Sequence, residues 1–201
     1  GNVGTVLILF FAPRIAATGG WHAVFGWMIL PIVASLAVFV PLVRDDRQSR
    51  RGERDTHWWH NVAVMIRHPK AYWLCGLYAV TFGGFVGFCS ILPLFFHEQY
   101  HVDGIAAGSI AALCGLVGSL IRPFGGHAAE RIGGLRTLIL ALPLVVGIVA
   151  VLGEISDIGV AVMLIVVAVG AMGVGNGVIL QLASEWLPQQ IGLVSGVVGA
   201  A

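Results

Sequence analysis

Charge is what this chain has least of. Only 10% of its 201 residues are Asp, Glu, Lys or Arg, where soluble domains carry about a quarter. Hydrophobic residues make up 58%, and the mean hydropathy is +0.92. That scarcity excludes an ordinary soluble domain and places the chain in a lipid bilayer. Cysteine is sparse as well. Cys75, Cys89 and Cys114 sit inside apolar runs at no metal-ligand spacing, which argues against a disulfide framework or thiol site and leaves small packing residues. Carboxylates are missing from the middle of every apolar segment, since Glu130 and Glu185 fall at segment ends and the other acids in loops. An intramembrane enzyme would need paired carboxylates or a histidine cluster, so no catalysis and no cofactor are expected. The net charge of +1 says little about partners, because the charges are sorted by side, and no nucleic acid is expected.

What is present is long runs without charge. About 20 apolar residues at 1.5 Å each cross a ~30 Å hydrocarbon core. Cutting the chain on that basis gives seven segments: Gly1–Ala17, Ala23–Val43, Ala71–Phe96, Ile105–Ala129, Thr137–Gly153, Ile158–Ser184 and Ile191–Ala201. The first and last are short, which reads as helices cut through in a piece of a longer chain.

The cations are concentrated on one side. Arg44, Arg47, Arg50, Arg51, Arg54, Arg67 and Lys70 share one loop, Arg131 and Arg136 fall in the next loop on that side, and the opposite loops carry Glu98, Asp103, Glu154 and Asp157. Short cytoplasmic loops are enriched in Lys and Arg, so residues 44–70 are expected to be cytoplasmic and the acidic loops external. Arg14 breaks the pattern and is expected to snorkel to the outer interface. The basic loop also holds His57-Trp58-Trp59-His60 and His68. Nothing completes a metal set there, and paired Trp suits a helix lying at headgroup level. No metal site is expected.

Arg122 is a single cation in a charge-free stretch that runs from Gly104 to Ala129. A guanidinium at membrane depth costs roughly 2.5–3.5 kcal/mol on insertion scales, so such a residue faces a bundle interior or a wet cavity, and an anion site is the default reading. The alternative is an anchor at a helix end, since Arg131 is about 14 Å further along the helix. Glycines recur through the segments at spacings that let helices approach closely. Gly173-Val174-Gly175-Asn176-Gly177 has only a superficial likeness to a nucleotide loop, because it falls mid-membrane with no strand before it.

Several motifs together resemble a known family. Gly126-His-Ala-Ala-Glu130-Arg131-Ile-Gly133-Gly-Leu-Arg136 is similar to the loop between helices 8 and 9 of the major facilitator superfamily, with Glu130 where Asp is usual. Tyr78 to Phe88, Arg122-Pro-Phe-Gly-Gly, and Gly192-Leu-Val-Ser-Gly196-Val-Val-Gly199-Ala-Ala resemble the nitrate/nitrite porters of that superfamily, as does the opening Gly1-Asn2-Val3-Gly4. The resemblance implies an all-α integral membrane protein, a partial twelve-helix bundle with helices 5 to 11 present. Residues 1–43 would be helices 5 and 6, 44–70 the central cytoplasmic loop, and 71–201 helices 7 to 11.

By the same resemblance, the substrate residues are Arg122, Tyr78, Phe82 and Asn2, Gly192, Gly196 and Gly199 line the path, and Gly126, Glu130, Arg131, Gly133 and Arg136 form a conformational loop. A second substrate arginine would come from helix 2, outside this chain. The implied activity is secondary active transport of nitrate or nitrite by alternating access in a multi-pass protein of a bacterial cytoplasmic membrane, with protons as a candidate coupling ion. A flat oxyanion suits the parallel N–H donors of a guanidinium. Tyr78 and Phe82 are four apart and would share one helix face as an apolar wall. A sugar or organic-anion member of the superfamily would want more hydroxyl-binding residues than these helices supply. A membrane receptor or scaffold is the alternative from another class.

Overall fold

The computed structural model describes residues 2–42 and 69–186. Every element among them is helical: α1 (Asn2–Leu42), α2 (Pro69–Tyr78), a π-helical turn (Ala79–Gly83), α3 (Gly84–Tyr100), α4 (Gly104–Ile132), α5 (Gly134–Leu152) and α6 (Ile158–Trp186). Five stretches are long and apolar enough to cross a membrane: Gly4–Leu42, Pro69–Tyr100, Gly104–Ile132, Gly134–Leu152 and Ile158–Trp186. Residues 44–68 of the expected basic loop, with the His-Trp-Trp-His motif, and the segment Ile191–Ala201 lie outside the described residues, while Pro69 and Lys70 of that loop begin α2.

The first two expected helices run together. At 41 residues, α1 would extend about 60 Å, twice the hydrocarbon thickness, so it cannot be one crossing. Its break is a single residue, Gly20, at φ 71 and ψ 179. Only glycine adopts that backbone without strain. The first half packs on α4, where a Cβ on Gly108 would lie 2.7 Å from the Leu9 carbonyl oxygen and 2.7 Å from Pro13 Cγ. Beyond Gly20 the helix is exposed apart from Ala23 and Val24.

Arg14 has partners on its own helix and on α4. Its guanidinium donates to the Phe10 carbonyl and, at 2.8 Å, to Ser109 Oγ of α4, and it stacks over the Phe10 ring at 3.7 Å. Ser109, five residues into α4, supplies an acceptor near the acidic end of the bundle.

The helix ends extend past the apolar runs because polar caps hold them. Asp103 accepts from the Ile105 amide at 3.1 Å, and Asp157 from the Val160 amide at 2.9 Å. Both are carboxylates at helix N-termini, where side-chain acceptors satisfy orphan donors. The α4–α5 connection is Gly133 alone, at φ 95. Tyr100 Oη donates to the Ile155 carbonyl at 2.5 Å, tying the two acidic connections together.

The closest packing is between α4 and α6. A Cβ on Gly173 would meet the Gly118 carbonyl, one on Gly177 the Arg122 carbonyl, and one on Gly125 the Val174 carbonyl. Backbone meets backbone at three levels, as small residues permit in lipid. Buried side chains then form two clusters. One holds Phe85, Cys89, Cys114, Ile165, Val169 and Met172 toward the acidic ends. The other holds Leu74, Ala129, Leu138, Val178 and Leu182 toward the opposite ends. A thin polar layer lies at their boundary.

Candidate functional site

Arg122 lies eighteen residues beyond the start of α4 at Gly104 and ten before its end at Ile132. That is about 27 Å and 15 Å along the axis, which puts it inside the hydrocarbon layer. Asn176 holds the same place in α6, eighteen residues after Ile158 and ten before Trp186. The two helices run in the same direction, and Gly177 backs onto the Arg122 carbonyl, so the two polar side chains belong to one level. Thr81 reaches that level from the other direction, twelve residues or about 18 Å from Pro69.

Among the described residues, Nε and Nη2 of Arg122 are buried and have no hydrogen-bond partner. An unpaired donor in a dry site is expensive, and a cationic one more so. The guanidinium carbon lies 5.3 Å from the centre of the Phe82 ring and 5.3 Å from that of Phe85. These aromatic faces offset part of the desolvation through cation–π attraction. They accept no hydrogen bond along the guanidinium edge. Nε and Nη2 present parallel donors, so the arrangement can receive two oxygens of one small anion side by side.

Tyr78 and Phe82 stack with ring centroids 5.1 Å apart and planes 22° from parallel. The segment between them is not α-helical, because Ala79–Gly83 forms the π turn. Such turns insert one residue into a helix and mark points where its face is re-aimed. Thr81, inside that turn, is fully buried, and its hydroxyl donates to Asn176 Oδ1 at 3.0 Å. Asn176 Nδ2 is buried without a partner among the described residues.

Thr81, Phe85 and Asn176 were not singled out by the sequence reading. The signal for Asn176 was available: a carboxamide in an apolar helix carries the same kind of desolvation penalty that drew attention to Arg122.

Of the remaining expected site residues, those described besides Asn2 lie on α4, at its junction with α5 and on α5. Asn2 opens α1, but its side chain lies outside those described, as do Gly192, Gly196 and Gly199 entirely. Gly126 abuts the α4–α6 crossing, where its amide nitrogen would be 3.0 Å from a Cβ on Gly177. Glu130 and Arg131 are exposed on the last turns of α4, Gly133 is the junction, and Arg136 is exposed on the first turn of α5. Glu130 faces His127 Nδ1 at 3.7 Å, with both side chains well exposed, a pairing of little energetic weight. An apolar groove lined by Ala34, Ser35, Val38, Phe39 and Leu42 belongs to α1 alone and contains none of these residues.

Apolar helices long enough to cross a bilayer, with a cation and a carboxamide buried between them, define a polytopic membrane bundle with a polar layer inside. The chain belongs to the major facilitator superfamily, whose family profile, the Major Facilitator Superfamily, matches residues 1–201. Among its relatives, the "Nitrite extrusion protein" of Bacillus subtilis is 28% identical over 200 residues, covering 100% of this chain and 50% of that protein. The "Probable nitrate transporter NarT" of Staphylococcus epidermidis is 26% identical, covering 98% of this chain and 50% of the relative. The "Probable nitrate/nitrite transporter NarK2" of Mycobacterium tuberculosis is 30% identical over 206 residues, covering 100% and 51%. The likeness to nitrate/nitrite porters read from the motifs is therefore matched by full-chain relatives bearing those names. The chain spans about half the length of the curated relatives it matches. No solved structure matches it.

Proposed function

We propose that this chain carries one arginine of a nitrate or nitrite site in a secondary transporter that works by alternating access. The observation that carries the proposal is the free Nε/Nη2 edge of Arg122, buried between two aromatic rings at membrane depth. A planar, weakly hydrated oxyanion fits such a place on three counts. Its two oxygens match the parallel donors, its charge neutralises the guanidinium, and its flat face tolerates the Tyr78–Phe82 stack. Names of the relatives point to the same substrate class.

In this reading residues 1–43 complete one six-helix half, 44–70 form the cytoplasmic connection, and 71–201 belong to the other half. The halves rock about an anion held near the midplane. Helix 2 of the full-length protein supplies the second arginine, Asn2 adds a neutral donor from α1, and Gly192, Gly196 and Gly199 line the path. The basic side faces the cytoplasm of a bacterial cell.

Arg122→Lys in the full-length protein tests this. Lysine keeps the charge and loses the paired planar donors. Nitrate uptake is expected to fall to near background while the protein still reaches the membrane. Uptake at the wild-type level would remove Arg122 from the site and leave it an anchor for α4.

A further inference from the structure

Among the described residues, a buried side-chain hydrogen bond joins Thr81 and Asn176, ninety-five residues apart in sequence. They are exposed by 0% and 1%, so neither bilayer nor solvent meets them. Around them, neighbours leave little freedom. A Cβ on Gly175 would lie 2.8 Å from Thr81 Cγ2, and one on Gly177 would meet the Arg122 carbonyl. Residues 175–177 of α6 thus press on both elements that carry the candidate site, the π turn on one side and the Arg122 turn of α4 on the other.

The π turn is the part of this arrangement that needs holding. A helix gains nothing locally from one inserted residue, and π turns persist where tertiary contacts favour them. If Ala79–Gly83 relaxed to α geometry, α2 up to Tyr78 would turn by about 100° relative to α3, which carries Phe85, the rotation of one residue at 3.6 per turn. Tyr78 would then swing away from the side on which Phe85 meets the Arg122 guanidinium. Thr81 sits between these two aromatic residues, and its hydroxyl has Asn176 Oδ1 as its shortest partner, the Tyr78 carbonyl being at 3.5 Å.

We propose that Asn176 is a positioning residue: through Thr81 it pins the π turn, and so sets the Tyr78–Phe82 wall against the open edge of Arg122. The proposal rests on the anion-site reading above and adds what holds that site in register. Specificity for a flat anion follows from it, because the wall discriminates shape only while it faces the guanidinium edge.

The test uses the full-length protein, with uptake kinetics for nitrate and for the pyramidal anion chlorate. Thr81→Val has nearly the same shape and removes only the hydroxyl. It is expected to raise the nitrate KM by about five-fold, the effect of one hydrogen bond, and to erode discrimination against chlorate, with maximal rate little changed. Thr81→Ser keeps the hydroxyl and is expected to restore both. Asn176→Leu should act as Thr81→Val does, and the double variant should be no worse than the worse single one, since both remove the same contact.

Wild-type KM and discrimination in Thr81→Val, whatever its thermal stability, would overturn the proposal. So would a Thr81→Ser variant that matches Thr81→Val, because size and not the hydroxyl would then be at work. If the wild-type protein moves a different anion, the same comparison with that anion separates the ideas. A Thr81→Val effect there upholds the pair while nitrate is withdrawn, and none overturns the pair as well.

Discussion

Gly177→Ala is the sharpest test of the packing that places Arg122. The added methyl would meet the Arg122 carbonyl oxygen, with the Gly126 nitrogen at 3.0 Å, and both are backbone atoms of α4. No side chain can rotate away to make room. The helices must part or slide, and overpacking of this kind costs about 1–3 kcal/mol. Against it stands the helix-propensity gain of up to about 1 kcal/mol that alanine brings over glycine.

Gly147 on α5 supplies the control. It is exposed, and a Cβ there meets nothing within 4 Å, so Gly147→Ala should be neutral or slightly stabilising. The two substitutions are chemically identical, so their difference reports packing at the crossing, expected at about 1–3 kcal/mol. Thermal unfolding of the full-length protein in detergent reads it as a melting point several degrees lower for Gly177→Ala than for Gly147→Ala. Because the Arg122 carbonyl is the atom displaced, the nitrate KM should rise in the same variant. Equal melting points would refute the backbone contact between α4 and α6, and with it the shared level of Arg122 and Asn176.

Other outcomes follow from the charge pattern. In a background without native cysteines, a cysteine at position 52 should be inaccessible to an impermeant thiol reagent in intact cells, and one at position 156 accessible; the reverse would overturn the orientation. Glu130 is exposed at the end of α4, and Glu185, near the end of α6, is paired to Gln181 at 3.0 Å. Glu130→Gln and Glu185→Gln are therefore expected to keep proton-driven uptake if the full-length protein is proton-coupled. Loss of coupling with anion exchange preserved would place the proton site on them.

Crossing helices were legible because hydrocarbon thickness sets a length against which charge-free runs are judged, and the four runs between Ala71 and Ser184 each correspond to a helix long enough to cross. Their ends were less legible. Asp103 and Asp157 were read as charges of an outer loop, whereas each caps the helix that follows. The first two segments were separated at residues 18–22, and there one glycine, Gly20, in a glycine-only conformation suffices to break α1. The partner of Arg14 was not legible either, because Ser109 stands beside it only through the α1–α4 packing.

The candidate site divides in the same way. Arg122 was visible because its cost is local and large. The π turn was not, because no residue between Tyr78 and Gly83 carries a compositional mark of it. Its partner Asn176 lies in another helix, and that proximity is a property of the α4–α6 crossing that glycine spacing alone does not specify.

The most direct test of the central claim is anion binding to the purified full-length protein, followed as nitrate-dependent thermal stabilisation. A ligand at 100 times its Kd stabilises the folded state by about 2.7 kcal/mol. The wild-type protein should show a saturable rise in melting temperature with nitrate, and Arg122→Lys and Arg122→Gln, folded to the same extent, should show none. A nitrate-induced shift of wild-type size and midpoint in both variants would contradict the assignment of the open Arg122 edge as the anion site.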